Sequence, residues 1–401
     1  MTAARVALRR DQLSHAGYAG LITWAWFLYG FGALLPLLRT EQGTSRAVLG
    51  LHSLALAVGG GAAGLLAVAV VRRFRRRGAF TLAALLITTG MVGLVLAPGP
   101  WLSVPAVAVV GVGGAMLVNA AMPALSDHHG PAGPAALSEA NAAAAAVGLL
   151  APLAVGAGVA LGVGWRPAAL LVIPLAGVQL LLVRRVPAAT AALDGELVDR
   201  STPRVPLPAA AWVLIALVMT SGAIEFCCTA WSADLLRTRN GMSPGAASAG
   251  VTAVVAGMAA GRFVIGRLAL RTSARRLLLG ALLLTGAGWL VLWFATGPAP
   301  ALVGLVLVGL GLAGQYPLGT SLLLAAVPGQ GDQAIGALAL WISTAAGLAP
   351  FGLGALADVT STHTAFLVVP ALVGVALVAL ALSAPSRPAT GSTSGPVNPL
   401  A

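Results

Sequence analysis

The sequence predicts an all-α membrane protein in which twelve transmembrane helices form two bundles of six. Composition is the first observation: 58% of the 401 residues are hydrophobic and only 8% are charged, against about 25% charged in an ordinary soluble domain. The second observation is that the apolar runs are about 20 residues long or longer. A helix of that length crosses the ~30 Å hydrocarbon core of a bilayer, whereas strands of a membrane barrel alternate in polarity over about 10 residues.

Cuts at Pro, Gly and charged clusters give twelve apolar runs. The first, 17–38, follows Arg9, Arg10 and Asp11 and lacks a small-residue cleavage pattern. It therefore predicts a retained span rather than a signal peptide. All 23 basic residues are Arg, which, with abundant Ala and Gly, indicates a GC-rich bacterial genome.

The arginines are distributed unevenly between the two sides of the predicted membrane. If the N terminus is cytoplasmic, most lie on the inner side, and the outer side has only Arg39, Arg46, Arg166, Arg237 and Arg239. This positive-inside pattern predicts a multi-pass protein of the inner (cytoplasmic) membrane with both termini in the cytoplasm. Arginines that face anionic lipid explain the net charge of +12, so the expected partner is the bilayer and not a nucleic acid.

A linker divides the spans six and six. Residues 186–207 combine Pro with charged side chains, which is typical of a linker and not of a domain. We therefore predict an N-terminal bundle at 1–185, a cytoplasmic linker at 186–207, and a C-terminal bundle with a short cytoplasmic tail at 208–401.

The two halves also show an internal repeat. A shift of 198 residues, the separation of Gly111 and Gly309, pairs further glycines and prolines without a gap: Gly113 with Gly311, Pro152 with Pro350, and Gly156 with Gly354. Small residues allow close helix packing, and prolines bend helices. Because the same offset aligns residues in several helices, it predicts that one bundle is a duplicate of the other, as in many transporters.

Several motifs resemble a known family. They are "VRRFRRRG" (71–78) after the second run, "GRFVIGRLALRTSARR" (261–276) after the eighth, "GVGGAMLVNAAMPAL" (111–125) and "GLLAPLAVG" (148–156). The chain thereby resembles the major facilitator superfamily over nearly its whole length. A shorter similarity, "GLGLAGQYP" (309–317) with the E-x5-W spacing of Glu225 and Trp231, is to the fucose permease-like branch.

This resemblance implies a monomeric secondary active transporter of a small organic solute, without cofactor or enzymatic activity. Two bundles would rock about a central site and expose it to each face in turn. Family members carry an Asp in the loop after the second span, where this chain has Arg72, and Leu270 in the second copy. In the family, this Asp helps to hold the cytoplasmic side closed, so a gate in this chain would have to use other groups. The candidates for gating are Arg73, Arg77, Arg271 and Arg275. The alternative is that these arginines hold the loops at the membrane surface.

Glu225 is the most informative polar residue. It lies about 17 residues into the seventh run, roughly 25 Å from its start, in a stretch that is otherwise apolar or small. Burial favours the neutral form of an acid, and an acid that exchanges its proton suits a proton carrier. We predict proton coupling through Glu225; the alternative is a structural carboxyl group.

Other polar and aromatic residues in the spans are candidates for two further roles. Amides and a phenol at membrane depth need partners, and aromatic rings form stacking walls, so the candidates for substrate binding are Trp24, Phe27, Asn119, Gln315, Tyr316 and Trp341. Helix-to-helix bonding, packing and lipid contact are the alternatives. Further candidates for gating are Glu139 and Asn141 at the inner face and Arg262 in the eighth run. The alternative for Glu139 is a carboxylate in the first turn of a helix, and the alternative for Arg262 is a role in packing.

Other function classes find little support. The chain has no Lys and therefore no Gly-Lys-Ser/Thr phosphate loop for ATP. Cys227 and Cys228 are adjacent, which suits packing and neither a disulfide framework nor a metal site. The "DHHG" stretch (127–130) is interpreted as a solvated loop, so no metal is expected. A proton-driven multidrug efflux pump is the nearest alternative function, and a receptor or enzyme on the same scaffold a more remote one.

Overall fold

A computed structural model describes residues 10–187, 190, 193, 206–269 and 271–383. These residues form helices, turns and connections without a strand. Twelve helices are long and apolar enough to cross a membrane: α1 (Gln12–Gln42), α2 (Arg46–Leu66), α3 (Arg73–Leu96), α4 (Pro100–Ala132), α5 (Ala135–Ala160), α6 (Arg166–Arg185), α7 (Ala209–Thr238), α8 (Pro244–Leu268), α9 (Ala274–Phe294), α10 (Pro298–Ala326), α11 (Gln333–Val359) and α12 (Thr362–Leu382). The predicted fold class is confirmed.

One boundary difference lies at the start of α1, which begins at Gln12 and not at the predicted residue 17. Asp11 precedes the helix, and its Oδ1 accepts a hydrogen bond of 2.9 Å from the backbone N–H of Ser14. A side-chain cap of this kind stabilises a polar first turn. Hydropathy marks where a helix becomes apolar, so it places the start too late.

The basic segment that joins α2 to α3 is itself helical. The backbone leaves helical geometry at Arg75, in the first turn of α3, where φ is 55°. This left-handed conformation is costly for a residue with a side chain. The basic segment therefore holds a kink and is not the open loop that the sequence suggested.

The internal repeat appears as matching helix crossings. A Cβ atom at Gly59 in α2 would lie 2.1 Å from the carbonyl oxygen of Ala108 in α4; at Gly257 in α8 it would lie 2.3 Å from that of Val306 in α10. Each member of the second pair follows its counterpart by the same 198 residues. The two halves therefore share a close crossing that excludes any side chain, which confirms the repeat.

We call α1–α6 the first bundle and α7–α12 the second. The end of the molecule where Arg10, Arg185 and Leu382 lie is the terminal side, and the opposite end, with Gln42, is the far side. Most of the predicted linker lies outside the described residues, so the division into 1–185, 186–207 and 208–401 stays a prediction.

The seam between the bundles is tight near the far side. A Cβ at Gly32 in α1 would lie 1.8 Å from the carbonyl oxygen of Thr229 in α7, and one at Gly156 in α5 would lie 2.5 Å from that of Gly245 in α8. Ser248 of α8 also donates a hydrogen bond of 2.8 Å to the carbonyl of Ala33. Backbone therefore packs against backbone across this half of the seam.

Candidate functional site

A cavity of about 420 Å³ lies between the two bundles. Its walls come from α1, α2 and α4 of the first bundle and from α7 and α11 of the second. Most lining residues are apolar, and the polar side chains among them are those of Tyr29, Ser53, Asn119, Glu225, Thr229 and Ser343. The cavity is of the size that holds a small organic molecule.

Glu225 lies near the middle of α7, about 24 Å along a helix about 44 Å long at 1.5 Å per residue. Its side chain is half-buried and faces the cavity. Among the described residues that line the cavity, it is the only one with an ionisable carboxyl group. The hydroxyl of Thr229, one turn later, is held by the carbonyl oxygen of Glu225 at 2.9 Å.

Arg262 of α8 brings a positive charge to the same region. Its guanidinium is exposed and interacts electrostatically with Glu225 and with the phenol of Tyr29 in α1. From the helical rise alone, Arg262 and Glu225 differ in depth by roughly 10 Å, which favoured a packing role. Arg262 is not among the cavity-lining residues, but its charge acts on one residue of each bundle beside the cavity.

An aromatic cluster forms one wall. Trp24 lines the cavity and stacks on Phe27 with ring centroids 5.7 Å apart, and Phe27 in turn lies 5.3 Å from Phe31. Phe27 is only 2% exposed and supports Trp24 from behind. Gly114 of α4 leaves the space for the indole, since a Cβ there would lie 2.0 Å from the Trp24 ring.

This contact leads to a prediction about affinity. Gly114→Ala should displace the Trp24 ring, at an overpacking cost of about 1–3 kcal/mol, and raise the KM of a transported solute at least about fivefold. Gly60→Ala is the matched control, because Gly60 also lines the cavity but its added Cβ would lie 3.9 Å from Ala115. Initial-rate uptake measures both; equal KM values for the two variants would contradict Trp24 as a binding wall.

The other predicted binding residues lie in different surroundings. Asn119 lines the cavity. Gln315 is 1% exposed and donates hydrogen bonds to Thr285 (2.7 Å) and to the Gly311 carbonyl (3.1 Å) inside the second bundle. Tyr316 (52% exposed) and Trp341 (41% exposed) lie outside the set of cavity-lining residues. The structure therefore brings together Trp24, Asn119 and Glu225, with Phe27 behind them.

Two predicted gating residues at the start of α5 are bonded within the first bundle. Glu139 accepts two hydrogen bonds from Arg10, at 2.6 and 3.0 Å. Asn141 donates to the carbonyl oxygen of Leu137 at 2.8 Å. Neither contact crosses the seam.

The predicted gating arginines of the two basic segments also contact their own bundles. Arg77 donates to the carbonyls of Val183, Val186 and Pro187 near the end of α6. Arg275 donates to the Leu380 carbonyl and to Ser383 at the end of α12. The remaining two, Arg73 and Arg271, are exposed on the terminal side.

A buried carboxylate on the far side was missed by the sequence analysis. Asp234 of α7 is fully buried and accepts hydrogen bonds from Arg39 (2.9 Å), Arg46 (3.1 Å) and Thr362 (2.6 Å). Arg39 lies in the last turn of α1 and Arg46 begins α2, so both ion pairs join the first bundle to the second. In the sequence, an aspartate near a helix end is expected to be solvated. The residues around Asp234 give no sign that it pairs with arginines nearly 200 positions away.

A second carboxylate on the far side reinforces this link. Asp358, at the end of α11, accepts hydrogen bonds of 2.8 and 2.7 Å from the backbone N–H groups of Arg46 and Ala47. It thereby caps the start of α2 with a group from the other bundle. We call Asp234, Asp358, Arg39 and Arg46 the far-side clamp.

The hydrogen bonds that join the bundles in the described residues are concentrated at the far-side clamp and its neighbours. On the terminal side, the described ion pairs of Arg10 with Glu139 and Arg76 with Asp127, and the hydrogen bond between His128 and Asp11, all stay within the first bundle. Apart from the electrostatic interaction of Arg262 with Tyr29, the polar contacts between the bundles that the described part of the chain shows therefore lie on the far side.

Comparison with known proteins agrees with this architecture. Residues 213–400 match the sequence model of the Major Facilitator Superfamily. The second half of the chain is therefore similar in sequence to this superfamily. This match agrees with the family resemblance that the sequence motifs indicated. No curated protein sequence matches the chain.

Solved structures of transporters share the fold across almost the whole chain. A peptide transporter, POT, in complex with sulfate has a TM-score of 0.73 at 15% identity, over 94% of this chain and 96% of its own. A D-xylose-proton symporter has 0.69 at 18% identity, over 93% and 96%. The fucose:proton symporter FucP of E. coli has 0.60 at 18% identity, over 93% and 98%. At these identities the likeness is one of fold.

Proposed function

We propose that the protein is a member of the Major Facilitator Superfamily and a secondary active transporter that moves a small organic solute by alternating access, with protons coupled through Glu225. The observation that carries the proposal is a single carboxyl group at mid-depth in a cavity between two bundles. An ionised group that faces lipid at that depth costs at least about 2.5 kcal/mol. A cavity wall is a place where such a group can take up and release a proton.

The asymmetry of the seam supports the alternating-access part. The far side is held by the far-side clamp and by close backbone contact at Gly32, whereas the described ion pairs on the terminal side stay within one bundle. Rocking of the bundles would open the far side and close the terminal side. Because the arginine distribution assigns the terminal side to the cytoplasm, we assign this state as inward-facing, in an inner membrane with both termini cytoplasmic.

Efflux of lipophilic cations is the second candidate. Trp24, Phe31 and Phe226 give the cavity an aromatic wall with one acid, which suits an apolar amine. Ser53, Asn119 and Ser343 offer the hydrogen bonds that a polar solute such as a sugar or a peptide needs. The first set would favour an exporter, and the second would favour a symporter.

The test is transport by the purified full chain in proteoliposomes under an imposed pH gradient. A panel of labelled hexoses, dipeptides and lipophilic amines is assayed in both gradient directions, with a proton ionophore as the control. We expect at least one class to accumulate against its own gradient and to be released when the ionophore collapses the pH difference. Rates equal to those of protein-free liposomes for every class, or accumulation that ignores the ionophore, would contradict the proposal.

A further inference from the structure

Three potential metal ligands meet at the terminal side of the first bundle. Asp11 lies just before α1, while His128 and His129 lie 117 and 118 positions later in the last turns of α4. One carboxylate oxygen and one nitrogen from each imidazole all lie within 4.8 Å of one another. The sequence indicated a solvated loop at the histidine pair because Asp11 is far from it along the chain.

The surrounding contacts fix the carboxylate in place. Oδ1 of Asp11 accepts hydrogen bonds of 2.9 Å from both the backbone N–H and the hydroxyl of Ser14. Oδ2 is turned to Nε2 of His128, at 2.5 Å. The Ser14 hydroxyl also lies 2.9 Å from Nε2 of His129. The helix cap thus uses one carboxylate oxygen and leaves the other to face the imidazoles.

The donor set defines a chemical class. Two imidazole nitrogens and one carboxylate oxygen suit zinc and its transition-metal neighbours, whereas Mg²⁺ and Ca²⁺ prefer oxygen ligands alone. Tetrahedral zinc with bonds of about 2.0–2.1 Å sets ligand atoms roughly 3.3 Å apart. Asp11 Oδ2 and His128 Nε2 lie 2.5 Å apart, and all three ligand atoms lie within 4.8 Å of one another. Small rotations of these side chains would bring them to that spacing, and water would complete the coordination.

The local charges do not oppose a cation. Arg10, next to Asp11, is bound by Glu139, and Arg76 is paired with Asp127 at 2.8 Å. The side chains of Asp11 and His128 are 44% and 28% exposed, so an ion can reach them from water. We propose that Asp11, His128 and His129 form a binding site for a zinc-class divalent cation that ties the start of α1 to the end of α4.

The experiment measures Zn²⁺ binding to the purified full chain in detergent by isothermal titration calorimetry. The protein carries a purification tag without histidine, so that the tag contributes no ligand. We expect saturable binding of one Zn²⁺, no measurable binding of Mg²⁺, and a rise of several degrees in the melting temperature with Zn²⁺ because only the folded state has the site. Absence of saturable binding would overturn the proposal.

Three variants assign the ligands, and a fourth is the control. His128→Ala and His129→Ala should each weaken Zn²⁺ affinity at least about tenfold. Asp11→Asn keeps a good helix cap but removes the ligand charge, so it should weaken binding without lowering the melting temperature of the metal-free protein. His15→Ala, one turn into α1 and outside the cluster, should bind as the wild type does. Wild-type affinity in both His128→Ala and His129→Ala would also overturn the proposal.

Discussion

Replacing Asp234 by Asn is expected to open the far side of the transporter. Loss of one partner from a buried ion pair costs about 3–5 kcal/mol, and Asp234 is fully buried between Arg39 and Arg46 of the other bundle. These two pairs exist only while the far side is closed. Loss of these pairs therefore destabilises only the state with a closed far side. It should shift the equilibrium between the closed and open far side at least about tenfold toward the open state.

Ser248 provides a reporter for this shift. It is 1% exposed and bonded to Ala33 across the seam, so a cysteine placed there is shielded until the far side opens. In nanodiscs, with Cys227 and Cys228 replaced by Ala, we expect Asp234→Asn to speed maleimide labelling of the Ser248→Cys reporter at least about tenfold.

The matched control for Asp234→Asn is Glu41→Gln. Glu41 is also a far-side carboxylate paired with an arginine, Arg166, at 2.9 Å, but both belong to the first bundle. Its removal should leave the labelling rate unchanged, provided that both variants elute as folded monodisperse protein. Equal labelling rates in Asp234→Asn and in the parent protein would contradict a clamp role for Asp234.

The membrane-spanning architecture could be predicted from the sequence because hydropathy and length report directly on what a bilayer requires. The sixth and eighth apolar runs of the sequence, 166–185 and 244–270, share both ends of α6 and the start of α8, since Arg166, Arg185 and Pro244 mark the changes in composition. The start of α1 was missed because its first turn is polar and stabilised by the Asp11 cap.

The candidate site was predictable in part. Glu225 could be singled out because a carboxyl group in an apolar span needs a cavity or a partner. The same argument treats Asn119 and Gln315 alike, but Asn119 faces the cavity whereas Gln315 bonds Thr285 within its bundle. A single polar residue in an apolar helix carries no periodicity, so its direction depends on tertiary packing.

The far-side clamp lay beyond sequence reasoning for a different reason. Asp234, Arg39 and Arg46 all lie near helix ends, where charged residues usually meet water and carry no functional signal. Their pairing depends on how the two bundles close against each other. Only the packing of the two bundles shows that these three charges form one group around the buried carboxylate of Asp234.

Replacing Glu225 by Gln is expected to uncouple transport from protons. Gln retains the shape of the side chain and its capacity for hydrogen bonds but cannot take up or release a proton at this position. The cavity and the rocking seam remain, so the solute should still exchange across the membrane at a rate within a few-fold of the wild type. Accumulation driven by the pH gradient should fall at least about tenfold, to the level of simple equilibration.

Asp127→Asn serves as the control for this change. It also neutralises an acid, but Asp127 lies on the terminal side, paired with Arg76 and away from the cavity lining. Accumulation by this variant should equal that of the wild type. A loss in both variants would indicate a general effect of charge removal and not a role of the cavity acid.

The most direct measurement compares accumulation with counterflow for Glu225→Gln in the same proteoliposomes, using a solute that the wild type transports. Coupling through Glu225 predicts that the variant retains counterflow and loses accumulation under an imposed pH gradient. A variant that still accumulates the solute against its gradient, as the wild type does, would contradict Glu225 as the proton-coupling residue.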